Sequence, residues 1–250
     1  MSRGDRSVGG RLAADRAQSH VVGVAILLSM TLLAIAGITA GLGAVVDDSA
    51  ANADAERVAS DLDATLQPVE TTGVHRGTVR FGDGDLRTVE RDLRVLNDSG
   101  VVRAVDVDAL VYEVGDRRVA FQAGAIVQGT GEGASLARRP PIVAAPNAGN
   151  LIVGAPRLGG EVTASGRTER TLRTNVSHER TALGEGRYRV AVETTTPAAW
   201  VAAFETRNAT VVATDRDLDG DGVGSVVARF PGRRTAYLVV HEMRLEAEDA

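Results

Sequence analysis

The stretch Asp15–Val46, DRAQSHVVGVAILLSMTLLAIAGITAGLGAVV, decides how the rest of the chain is read. From Val21 to Val46 there is no charged side chain, and besides glycine only Ser29, Thr31 and Thr39 interrupt the apolar character. As a helix this run would span ~39 Å at 1.5 Å per residue, more than the ~30 Å hydrocarbon core of a bilayer. A soluble domain seldom hides so long an uncharged helix, so a membrane span is expected over residues 18–46. Arg3, Arg6, Arg11 and Arg16 precede it, and Asp47 and Asp48 follow it. Arginine-rich flanks stay in the cytoplasm. The expected topology has the N-terminus inside and residues 47–250 outside. No second apolar run of that length follows, which makes a single-pass membrane protein.

Composition narrows the classes. The chain has 250 residues, 28 Lys+Arg against 33 Asp+Glu, and a formal net charge of −5. Lysine is absent, so every strong base is arginine. Cysteine is absent too, which excludes disulfide frameworks, thiolate metal sites and a cysteine nucleophile. With no basic cluster, nucleic acid is not an expected partner. At 44% hydrophobic but only 3% aromatic residues, the chain folds around Val, Leu, Ile and Ala. An acidic, lysine-free composition resembles that of proteins from extreme halophiles, whose surfaces stay soluble by self-repulsion.

The helix continues outward. No proline precedes Pro68, and Val58, Leu62 and Leu66 recur at i, i+4, i+8 with Ala51 and Ala55 on nearly the same face. One helix from about Gln18 to Gln67 is expected, its outer half, 47–67, amphipathic and packed on a head. From Pro68 onward, short Val-, Thr- and Tyr-rich runs alternate with Gly, Asp and Pro clusters, the pattern of strands and turns. Gly77–Phe81 is expected to turn at Gly82–Asp85 and pair with Leu86–Leu96. Val107–Val114 and Val119–Gln128 form a hairpin. Residues 129–160 read as irregular, with one strand at Asn150–Gly154. Leu158–Thr168, Thr171–Ser177, Arg187–Glu193, Asn208–Thr214, Ser225–Phe230 and Thr235–Glu246 complete the strands. Pro197–Phe204 is a short helix whose Trp200 and Phe204, at i and i+4, plug the core. The fold class is α+β, mainly β. Its parts are a leader at 1–17, a membrane helix at 18–46, an amphipathic extension at 47–67 and a mostly antiparallel β head at 68–250.

The words Arg16-Ala17-Gln18-Ser19 running into Val21-Val22-Gly23 resemble a class III signal, in particular that of haloarchaeal type IV pilin-like proteins. That resemblance implies a cut between Ala17 and Gln18 by a prepilin-type peptidase, with the apolar helix retained. Its implied partners are the membrane, the peptidase, and other pilin-like subunits or copies of itself. Val22 stands where bacterial pilins carry Glu. The alternative is an uncleaved single-pass anchor with an extracellular β binding domain. Gly37-Ile38-Thr39-Ala40-Gly41 offers a G-x-x-x-G face for close helix packing in either case.

Chemistry-bearing motifs are sparse. Asp215, Asp217, Asp219 and Asp221 with Gly220 match the opening of a calcium loop. Val226 stands where an EF-hand has its bidentate Glu, so only a looser Asp-rich Ca²⁺ loop is expected, against an acidic hairpin connection. Asn97, Asn175 and Asn208 head N-glycosylation sequons. His20, His75, His178 and His241 show no metal-ligand spacing, and no catalytic motif is present. No enzymatic activity and no other cofactor are expected.

Overall fold

A computed structural model describes residues 11–146 and 149–249; the side chains of 11–25, 37–44, 68 and 249 lie outside that description. The chain divides into two compact units, with the boundary between Ala50 and Ala51.

The first unit holds the beginning of α1 (Arg11–Leu66). Every large apolar side chain described there, from Ile26 to Ile35 and at Val45 and Val46, is more than half exposed. Two of its hydroxyls turn inward to the helix. Thr31 Oγ1 donates to the Leu27 carbonyl and Ser49 Oγ to that of Val45, each at 2.8 Å. Among the described residues, no helix is long and apolar enough to cross a membrane. Much of the run expected to do so, and the side chains of Arg16, Ala17 and Gln18, lie outside the described side chains.

The second unit begins with the rest of α1. Val58, Leu62 and Leu66 are fully buried, as the i, i+4, i+8 stripe predicts. Then come β1 (Gly73–Phe81), β2 (Asp85–Val89), β3 (Asp92–Asn97), β4 (Gly100–Asp106), β5 (Ala109–Val114), β6 (Arg117–Gln122), β7 (Ala125–Gln128) and β8 (Ser135–Arg138). Next follow β9 (Ile142–Ala144), β10 (Gly149–Arg157), β11 (Thr163–Ser165), β12 (Thr168–Gly186) and β13 (Arg189–Glu193). After α2 (Pro197–Glu205) come β14 (Thr210–Arg216), β15 (Ser225–Arg229), β16 (Arg234–Glu242) and β17 (Glu246–Asp249).

They form three sheets. The first runs β1-β12-β16-β10-β9 with β17 also on β12, the second β11-β2-β5-β6-β7-β8, the third β14-β15-β13-β3-β4. Among the described strands only β10 and β16 pair in parallel. One core gathers Val58, Leu62 and Leu66 of α1 against Val79, Phe81, Leu86, Leu110 and Phe121 of the first two sheets. The helix approaches β1 so closely that a side chain at Gly77 would strike Thr65. A second core is centred on Trp200 and Phe204 of α2, packed over Leu93, Val190, Val226 and Phe230.

The expected hairpin forms around Gly115-Asp116, with Val114 opposite Arg117. The expected strand Val119–Gln128 is not continuous: a two-residue turn at Ala123 (φ 45°) and Gly124 (φ 79°) splits it into β6 and β7, which pair with one another. Both angles are positive, the requirement of a type I′ hairpin turn.

Five further expectations need correction. Leu86–Leu96 does not pair back onto β1; β2 joins the second sheet and β3 the third. The 82–84 turn is tied instead to α1, through the Gly82 N–H and Asp54, so the chain leaves the first sheet there. Residues 129–160 hold β8, β9 and the long β10, hidden in sequence by Ala and Gly with low strand preference. Of Leu158–Thr168 only β11 and Thr168, where β12 begins, pair, because Gly159-Gly160 interrupts the run. The 171–177 strand extends to Gly186, its charged outer half being solvent-facing on most residues. Thr235–Glu246 is two strands, broken where Arg244 takes a left-handed φ of 47°.

Candidate acidic site

The outer face of the third sheet carries the site. Alternation puts Leu93, Val95, Val190, Val192, Val226 and Ala228 in the α2 core. The intervening positions, Asp92 and Arg94 on β3, Glu193 on β13 and Ser225 on β15, turn to the opposite side. Register sets Glu193 directly opposite Ser225. Gln122 Nε2 donates to the Glu193 carbonyl, tying β13 to β6.

Arg94 is buried at the centre of this cluster. Its Nη2 donates to Asp92 and, at 2.7 Å, to Asp219. Its Nη1 lies 3.5 Å from Glu193, and Arg91 Nη1 lies 3.7 Å from the other Glu193 oxygen. Asp219 arrives on the β14–β15 loop. That loop is shaped by Asp217, which accepts the N–H groups of Asp219, Gly220 and Gly222 at 3.3, 2.6 and 3.2 Å. Those backbone N–H bonds, Gly220's foremost, hold the Asp217 carboxyl below its ordinary range. At the loop's end the Thr194 N–H donates to the Gly224 carbonyl at 3.0 Å.

A cavity of about 700 Å³ opens beside the cluster. Its walls come from the β2–β3, β4–β5 and β10–β11 connections together with Glu193 and the Asp219 loop. Glu90, Asp92, Asp106, Asp108, Glu161, Glu193, Asp219 and Asp221 line it, against Arg91 and Arg157. The Asp108 backbone is left-handed (φ 53°), held by its N–H to the Arg91 carbonyl at 2.9 Å. Burial and charge crowding both favour the protonated carboxyls here. Burial, then the Asp221 and Asp92 carboxylates, push Glu193 up to about 7 against the pull of Arg91 and Arg94. Burial also raises Asp92 and Asp108. Carboxylates in such a setting take up either protons or cations.

Of the four aspartates expected to gather, three do. Asp217, Asp219 and Asp221 each offer an oxygen within 4.8 Å of the others. Asp215 stays on β14, its carboxylate against Gly224. Asp219 belongs equally to a second group with Asp92 and Glu193, within the same 4.8 Å. Spacing in the chain had no access to that group. Among the sequons, Asn208 is exposed and left-handed after α2 (φ 56°). Asn97 and Asn175 are half-buried, and the Asn97 side chain accepts the Ser99 N–H at 2.8 Å. His178 and His241, 63 residues apart, face one another across β12 and β16 with their Nδ1 atoms 3.0 Å apart. Burial, then His178, lowers the His241 pKa.

These features define a mainly antiparallel β protein, built on the end of a helix and carrying an acidic cavity where its three sheets meet. The family of unknown function DUF7289 matches residues 16–246, and the chain belongs to that family. No curated protein and no solved structure matches it.

Proposed function

We propose that this chain is a pilin-like cell-surface protein, assembling through its apolar N-terminal helix after prepilin-type processing between Ala17 and Gln18. One observation carries the reading. The same helix is a buried core element over Val58–Leu66 and an exposed apolar surface over the described residues from Ile26 to Val46. Burying one large aliphatic side chain is worth ~1.5–3 kcal/mol, so so many left in water favour lipid or neighbouring helices. The inward-bonded hydroxyl of Thr31 suits an apolar surrounding. The family match takes in the apolar run and begins at Arg16, which fits a retained helix rather than a discarded leader. On this reading the helix first crosses the membrane, and after trimming packs with copies of itself or with related subunits, the β head facing outward. No catalytic role is assigned.

The acidic cavity favours a second reading, an uncleaved single-pass anchor whose β domain binds a ligand. Expression of the chain with Arg16→Ala or Ala17→Asp, in cells holding the peptidase, separates the two. Processing yields a shorter parent chain and unshortened variants; a parent of the same length as its variants supports the anchor instead.

A further inference from the structure

We propose that Asp92, Glu193 and Asp219 hold a hard divalent cation, calcium by its chemistry, at the inner wall of the acidic cavity. The three carboxylates come from β3, β13 and the β14–β15 loop, and each offers an oxygen within 4.8 Å of the others. Proximity alone would be an acidic patch. One buried group makes it more. The Glu193 side chain is 3% exposed and lines the cavity, ion-paired to Arg94 at 3.5 Å and to Arg91 at 3.7 Å. Ser225, fully buried and opposite Glu193 on the same face, has an Oγ with no hydrogen-bond partner among the described residues. A buried hydroxyl without a partner costs free energy that a coordinated ion returns.

The charges fit. Arg94 and Arg91 offset two of the three carboxylates. The further carboxylates lining the cavity, with Arg157 against them, leave the surplus of negative charge that a divalent ion matches. The ligand set is all oxygen, which selects Ca²⁺ or Mg²⁺ over thiophilic and imidazole-seeking metals. Calcium takes six to eight oxygens in loose geometry, and a 700 Å³ cavity leaves room for water to complete the shell. This site differs from a calcium loop closed by Asp217. The Asp217 carboxylate is already engaged by three backbone N–H groups of its own loop.

The test is thermal unfolding of the full chain in detergent, first with EDTA and then with CaCl₂, MgCl₂ or NaCl at matched ionic strength. At a hundredfold excess over Kd, Ca²⁺ should raise Tm by roughly 5–10 °C. Asp92→Asn and Glu193→Gln should abolish that rise, and Asp217→Asn should keep it. Glu193→Gln should unfold no lower than the parent in EDTA, so its lost response is not misfolding. Three results overturn the proposal: no rise beyond that with NaCl, a rise retained in Asp92→Asn and Glu193→Gln, or a rise lost only in Asp217→Asn.

Discussion

Tyr112 on β5 donates its hydroxyl to the Asp54 carboxylate on α1, and the same Asp54 oxygen accepts the Gly82 N–H at 2.7 Å. The other Asp54 oxygen takes Arg57 at 2.7 Å. One helix side chain therefore fixes the end of β1, the start of β2 and the centre of β5. Burial, then Asp54, push the Tyr112 pKa upward, which keeps its proton in place to donate. Asp54→Ala would strand one buried and one half-buried donor and should destabilise the chain by about 2–4 kcal/mol, and Tyr112→Phe by about 1–2 kcal/mol. Urea unfolding of the full chain, followed by Trp200 fluorescence, checks both.

The two halves of α1 should respond to truncation in opposite ways. Leu62→Ala empties a fully buried site and should cost about 2–5 kcal/mol in the same unfolding measurement. Leu33 is 73% exposed. Leu33→Ala should leave unfolding of the β head within ~0.5 kcal/mol of the parent and weaken membrane retention or assembly instead. Sedimentation of the two variants with membranes separates the effects.

Gly77→Ala tests how closely the helix packs. The added methyl would meet the Thr65 side chain. A loss of about 1–3 kcal/mol is expected, recovered in part by Thr65→Ala.

Without divalent cations, Glu193 should make stability depend on pH. Its folded pKa of about 7 lies above the ordinary glutamate value of 4.5. The stability it contributes is therefore fully present below pH 4.5 and lost as pH rises through 7. His241 works the other way: its lowered pKa gives stability present above 6.5 and lost as pH falls. The difference between the parent and Glu193→Gln isolates the carboxylate. It should grow by about 1–2 kcal/mol in favour of the variant from pH 5 to pH 8 in EDTA.

The helical parts of this fold are legible in the sequence because their signals are local. Val58, Leu62 and Leu66 mark a face by spacing alone, and Trp200 and Phe204 lie one turn apart behind Pro197. The Gly115-Asp116 hairpin is equally local. Sheet membership is not. Whether β2 returns to β1 depends on Asp54 reaching Gly82 across 28 residues, which no strand pattern encodes. The acidic site is half legible. The Asp-x-Asp-x-Asp-Gly spacing points to Asp217, Asp219 and Asp221. Asp92 and Glu193 join Asp219 only through the β3–β13 register and the path of one loop. The available hint was Arg94 and Glu193, charges set in otherwise apolar strands, where burial demands partners. His178 and His241 meet through register alone.

The central claim is that the apolar helix belongs to the mature protein and drives assembly. Mass spectrometry of the native N-terminus, in membrane and sheared-surface fractions, tests it most directly. The account predicts a chain beginning at Gln18 and present in the sheared fraction. A chain beginning at Met1 or Ser2 would contradict it in favour of an uncleaved anchor, and one beginning near Asp47 would mean that the helix is discarded.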